Sequence, residues 1–319
     1  MTTPSTTLTV ALAQIAPCWL QRDATLVKLA DQVSAAAAAG CSLVVFGEAL
    51  VPGYPFWVER TDGARFDSPL QKSLFAHYCS QAVDLDAGHL DSLCTLAASK
   101  HIAIYTGIIE RAAKRGHSLY CSMVYIDANG RIGSVHRKLM PTFEERLVWS
   151  IGDGHGLRTH ALPPFTVGGL NCWENWLPLA RAALYAQGED LHVAIWPGSQ
   201  RNTESITRFI AKESRSYVIS VSGLMRATDI SPELPHYAEL RAAAAETMAD
   251  GGSCIAGPDG EWLLPPEVGS ECLRVATLDH RKVLEERQNM DCAGHYSRPD
   301  VTRLIVDRRR QTTAEFNDD

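Results

Sequence analysis

Short apolar runs alternate with helical stretches along the whole chain, and this alternation limits the possible folds more than any other feature. LTVALAQIA (8–16) is apolar and too short for a helix, so it reads as a buried strand. QRDATLVKLADQVSAAAAA (21–39) has helical character and stops at Gly40, a common helix terminator. SLVVFGEAL (42–50) is the next buried strand, ending in a polar pair. Further helices are predicted over 69–82, 88–100, 177–187 and 203–217. Further strands are predicted over 102–111, 119–127, 165–172, 191–198, 218–226, 252–260 and 273–280. Asp127-Ala128-Asn129-Gly130 is a turn, so IGSVHRKL pairs back as a hairpin. The segment 227–250 is long for a loop and holds its own helix, ELRAAAAETM; insertions of this length are often functional or interfacial. The pattern describes an α/β layered protein with a mixed sheet or a pair of sheets. No linker rich in Pro, Gly or Ser divides it, so one domain is expected over 1–319.

The 319 residues are enough for a sizeable core. The net charge is −7 and no basic stripe stands out, which argues against a nucleic-acid partner. Arg308, Arg309 and Arg310 read as a solvated tail cluster. The apolar runs are too short to cross a bilayer, and MTTPSTTLTVALAQIAP lacks a charged leader, so a cytoplasmic protein is expected. Nine cysteines, an odd number without any CxxC, argue against a disulfide framework or a structural zinc.

Three places break the hydrophobic pattern where a buried strand ends: Glu48 in VVFGEALVPGYP, Lys138 and Glu145 in GSVHRKLMPTFEER, and Cys172 in GGLNCWENW. Singly, each has an ordinary structural explanation. Together they make a mechanism, because strands of one sheet commonly expose functional residues at their carboxyl ends. A cysteine becomes a nucleophile as its thiolate, favoured by a nearby cation or helix N-terminus, so the turn at Cys172 and the Lys138 ammonium are expected to lower its pKa. Glu48 can accept and return the proton or prepare water. Backbone N–H groups of the turn can face a developing negative charge. A Cys–His dyad is the competing arrangement, with His136 and His295 as candidates; both rank as structural or pocket-lining. GxSxG, Walker A, HExxH and GxGxxG are all missing.

At these residues the sequence resembles the nitrilase superfamily of carbon–nitrogen hydrolases. FGEALVPGYP, HRKLMPTFEER, GLNCWENWLPLAR and GGSCIAGPDG look like that family's blocks, in order, and the match runs from LAQIAP to GHYSRPDV. HRKLMPTFEER, CWEN with PLAR soon after, and GHYSRPDV resemble the true nitrilase branch rather than the amidases. The resemblance implies a four-layer αββα sandwich pairing to αββα-αββα in a homodimer, with spirals or filaments beyond. It implies a core over about 8–282 and a segment 283–319 at the dimer interface. It makes Glu48 the general base, Lys138 the transition-state stabiliser, Cys172 the nucleophile and Glu145 an assisting glutamate. Trp173 contributes a backbone N–H, and Tyr54 and Trp196 line the pocket. The implied substrate is a small-molecule nitrile, with no metal and no organic cofactor. Phe143 and Leu177 depart from the residues common at their positions in that branch, and the C-terminal extension is short. Trp57, Trp173, Trp176 and Trp196 point to an apolar pocket able to take an aryl group. An amidase or carbamoylase with the same triad is the nearest alternative. A non-catalytic assembly protein keeping the fold is the alternative from another class.

Overall fold

The computed structural model of the protein describes residues 5–314; the outermost residues of the expected domain, 1–4 and 315–319, lie outside the described ones. The first sheet begins with β1 (Thr7–Gln14), β2 (Leu43–Phe46), β3 (Ala103–Arg111), β4 (Leu119–Ile126) and β5 (Ile132–Arg137). The second holds β6 (His160–Leu162), β7 (Phe165–Asn171), β8 (Leu191–Trp196), β9 (Tyr217–Ser222), β10 (Leu224–Arg226), β11 (Thr247–Ala256) and β12 (Trp262–Val268). The last strand, β13 (Cys272–Asp279), returns to the first sheet, giving the order β13-β1-β2-β3-β4-β5. The second sheet runs β10-β11-β9-β8-β7-β6, with β12 on β11. Each sheet has three parallel strands at its centre, β1–β2–β3 and β7–β8–β9, flanked by antiparallel neighbours.

Side chains alternate across a strand, so each central strand buries one set inward and the other outward. Val10, Leu12, Val45 and Tyr105 of the first sheet meet Val167, Val193 and Ile195 of the second between the sheets. On the outer face of the first sheet, Ala11, Val44 and Ile104 pack against α1 (Arg22–Ala38). The helices α2 (Trp57–Arg60), α3 (Pro69–Gln81) and α4 (Asp91–Lys100) follow β2; α4 packs on that same outer face through Leu93 and Ala97. The second sheet is covered by α5 (Pro178–Tyr185) over Leu170 and by α6 (Gln200–Ser214) over Ala194 and Val218. Both strand faces are therefore dry, which is why the strands read as continuous apolar runs. The layers are α, β, β, α, as the resemblance implied.

The differences from expectation have local causes. The helix expected at 203–217 starts at Gln200; Ser199 turns the chain with φ 81°, and Thr203 uses its hydroxyl on the Gly252 carbonyl at 2.7 Å. The strand expected over 218–226 breaks into β9 and β10 at Gly223, whose N–H donates to the Trp196 carbonyl. ELRAAAAETM is helical only in its first half, within α7 (Tyr237–Ala243); Thr247 and Met248 join β11 instead. There the ladder with β10, Met225 opposite Ala249, outweighs the helix propensity of an alanine-rich run. Ile230, Leu234 and Leu240 of this insertion pack onto Trp57, Val58 and Leu74. β12 carries Pro265 and Pro266 and pairs only with β11, as a proline-bearing strand must at the margin of a sheet. A final helix, α8 (Arg281–Arg287), follows β13.

One glycine ties the fold to the site. Gly107 on β3 runs beneath the turn leaving β2, and its N–H donates to the Gly47 carbonyl at 3.1 Å. An added Cβ would lie 2.4 Å from Ala49 N, 2.5 Å from Gly47 O and 2.6 Å from Glu48 Cα. Gly107→Ala should therefore displace Glu48 and cost roughly 1–3 kcal/mol by overpacking. A thermal melt superposable on the parent's would show that the turn absorbs the methyl group.

Candidate active site

Glu48, Lys138 and Cys172 each lie just beyond the carboxyl end of a strand: β2, β5 and β7 respectively. The Glu48 N–H donates to the Trp196 carbonyl at the end of β8, joining the exits of the two sheets at 3.1 Å. Lys138 is fixed by its own backbone, whose N–H donates to Cys121 O at 2.8 Å and whose carbonyl accepts from Gly152 N–H at 2.9 Å. Its ammonium lies 2.9 Å from Glu48 Oε1 and 2.7 Å from Glu145 Oε2. Glu145 sits in a short 3-10 turn, Phe143–Leu147, and the same oxygen accepts the Thr142 N–H at 2.6 Å. Tyr54 donates its phenol to the other oxygen of Glu145 at 2.9 Å.

Ligand atoms of Glu48, Glu145 and Cys172 lie within 4.8 Å of one another, all buried. That spacing would suit a metal ion, but the Lys138 ammonium already supplies positive charge to both carboxylates. Lys138 is only 1% exposed. Burial acts against its charge, yet Cys172, Glu48 and Glu145 hold its pKa well above the ordinary lysine value. Burial pushes Glu48 up to about 7, with Lys138 opposing the shift and Glu145 adding to it. Glu48 also receives the Cys121 S–H at 3.5 Å, and its Oε2 has no partner among the described residues, which leaves one lone pair free for a proton.

Cys172 occupies a left-handed backbone conformation, φ 46°, at the first position of a 3-10 turn spanning Cys172–Trp176. A non-glycine residue there is strained, and such strain collects at functional positions. The expected low thiol pKa is not found. Burial first, and then the Glu48 carboxylate, push the thiol well above its usual value, against the pull of Lys138 and the Trp173 N–H. The resting group is a neutral thiol beside a carboxylate able to take its proton.

The turn is held from behind. Asn175 Nδ2 donates to the Cys172 carbonyl at 2.8 Å, and Asn175 Oδ1 lies 2.8 Å from His192 Nε2. Arg181 donates to the Asn175 carbonyl at 2.7 Å and pairs with Glu213. Sequence reasoning missed Asn175, His192 and Glu174. The Asn171-x-x-Glu174 spacing, a helix-start signature, was the available signal for Glu174.

The tryptophans fall into two groups. Trp57 is core beside Tyr78, and Trp196 is fully buried under the Cys172 turn with its indole N–H directed to Ser220 Oγ at 3.3 Å. The Trp196 carbonyl accepts the Glu48 N–H, and its ring packs in the same cluster as Cys172. Trp173 and Trp176 are about half exposed. His136 is buried against Glu174, and His295 is exposed beside Tyr296, so neither histidine is bonded to Cys172.

The carbon–nitrogen hydrolase family model matches residues 9–287. The chain belongs to the carbon–nitrogen hydrolase family. Among its curated relatives is Nitrilase 2 from an unknown prokaryotic organism, 34% identical over 98% of this chain and 96% of that one. A bifunctional nitrilase/nitrile hydratase of Lupinus angustifolius is 33% identical over 94% and 86%. Among solved structures, a carbon–nitrogen hydrolase from Helicobacter pylori superposes with a TM-score of 0.67 at 20% identity, covering 89% of this chain and 92% of that one. This hydrolase thus shares fold with distant members and sequence, end to end, with relatives named as nitrilases.

Proposed function

We propose that this carbon–nitrogen hydrolase converts an organic nitrile to its carboxylic acid and ammonia, using Glu48, Lys138 and Cys172 as the catalytic triad and Glu145 in support. The observation that carries the reading is the Lys138 ammonium bridging two buried carboxylates beside a strained thiol. The names of the whole-length relatives favour nitriles over amides.

Glu48 takes the Cys172 proton as sulfur adds to the nitrile carbon and passes it to the nitrogen, giving a thioimidate and a free carboxylate. Water, deprotonated by Glu48, adds to the same carbon. The carbon–nitrogen bond of the tetrahedral species breaks, ammonia leaves and a thioester remains. A second water releases the acid, and the thiol recovers its proton; the sum is one nitrile and two waters to one acid and one ammonia. The Lys138 ammonium and the Trp173 N–H supply charge and a donor where negative charge develops. Tyr54 holds Glu145, which holds Lys138.

A carboxylate that must accept a proton works only when ionised. With Glu48 at about 7, kcat/KM should fall as pH drops below 7, approaching tenfold per pH unit. A flat profile from the acid range to pH 8 counts against Glu48 as the base.

The direct test is ammonia release from benzonitrile, phenylacetonitrile, an aliphatic dinitrile and the matching amides. Release from nitriles and not amides supports the reading. Release only from amides moves the same three residues to amidase chemistry.

The finer expectations belong to the same proposal. A homodimer is supported by the exposed apolar side chains Trp176, Leu177, Leu179 and Phe209 on and beside α5 and α6. A cytoplasmic location suits nine unpaired thiols, and none of the described helices is long and apolar enough to cross a membrane.

A further inference from the structure

Glu174 lies two residues beyond the nucleophile and is 2% exposed. Its Oε2 accepts the Asn171 N–H at 2.8 Å, and its Oε1 accepts the Leu139 N–H at 2.5 Å. His136 Nε2 lies 3.0 and 3.2 Å from the two oxygens. One carboxylate therefore grips the chain on both sides of Lys138, at 136 and 139, and immediately before Cys172, at 171. β5 and β7 belong to different sheets and share no ladder, so no strand pairing sets the distance between those two exits.

We propose that Glu174 is a positioning residue that sets the Lys138 ammonium against the Cys172 sulfur. This rests on reading those two side chains as catalytic. Burial opposes the charge of Glu174, but His136 and the Leu139 and Asn171 N–H groups keep its pKa below the usual glutamate value. An ionised carboxylate can satisfy all these donors at once. An amide cannot, because its NH2 end would face an N–H.

Glu174→Gln keeps the shape and breaks part of the grip. Displacement of about 1 Å at a reacting group costs on the order of 100-fold, so kcat should fall by that order while KM changes little. The second readout is alkylation of Cys172 by iodoacetamide, followed on its own peptide by mass spectrometry. A Lys138 ammonium set further from the sulfur leaves less thiolate, so alkylation should slow. A role in packing alone would give the opposite sign, since a loosened site exposes a buried thiol and alkylates faster.

His136→Gln, which leaves both backbone bonds in place, is the second variant. It should show the same two changes to a smaller degree, and it decides the matter if Glu174→Gln does not fold. Parent-like kcat, or faster alkylation, in the folded variant overturns the proposal. Alkylation needs no substrate, so the two readings separate. Slow alkylation in the variants of a protein that hydrolyses no nitrile keeps the positioning role and removes the nitrile reading. Nitrile turnover equal in parent and folded variant removes the positioning role alone.

Discussion

Replacing Lys138 by methionine abolishes turnover and destabilises the protein by about 3–5 kcal/mol, the cost of removing one partner from a buried charge cluster. Methionine fills much of the same volume, so the loss is electrostatic rather than a cavity. Without the ammonium, Glu48 and Glu145 face each other in the protein interior with no cation between them. Their repulsion should drive Glu48 further above its present value of about 7. A carboxyl whose folded pKa lies above its unfolded value, 4.5 for Glu48, contributes its full stability only below that unfolded value. That contribution is lost as pH rises toward and through the folded pKa. The deficit of Lys138→Met should therefore be smaller at pH 6 than at pH 9, measured by denaturant unfolding against the parent. A deficit independent of pH would mean that the carboxylates do not feel each other.

Cys172→Ala is expected to lower turnover by at least about 10⁴-fold, as removal of one member of a catalytic unit does. The fold should survive, because the turn is held by Asn175, Arg181 and the β7 ladder rather than by the sulfur. Cys172→Gly separates chemistry from strain. It is equally inactive, but φ 46° is unstrained for glycine, so it should be more stable than Cys172→Ala by about 1 kcal/mol. Equal melting temperatures for the two variants would remove the argument that the nucleophile sits in a costly conformation. Retained turnover in either would remove Cys172 from the mechanism.

The layered fold was legible because its strands are dry on both faces, so LTVALAQIA, SLVVFGEAL and LHVAIWPG stand out as apolar runs between helices. Part of the site was legible for the same reason: Glu48 and Cys172 are polar or reactive groups placed where such a run stops, whereas Lys138 follows β5, an edge strand that is half exposed. What the sequence hid depends on contacts between distant segments. Nothing local says that Thr247 and Met248 extend a strand, since their partner β10 lies some twenty residues earlier. The tryptophans look alike in sequence, yet Trp57 and Trp196 are core while Trp173 and Trp176 reach solvent. The high thiol pKa of Cys172 follows from burial and from Glu48, which arrives from another sheet and outweighs the cation and the turn. For Glu174 the spacing from Asn171 marks only a local cap; its reach to Leu139 and His136, 35 and 38 residues away, was hidden.

The central claim is that the substrate carbon becomes bonded to the sulfur of Cys172. The most direct measurement is a single turnover with enzyme in excess over phenylacetonitrile, quenched in acid at successive times and mapped by peptide mass spectrometry. A mass increase on the peptide bearing Cys172 should appear, reach a maximum and decay as the acid accumulates. Acid and ammonia formed with no adduct there at any time, or with the adduct on another thiol, would contradict the assignment.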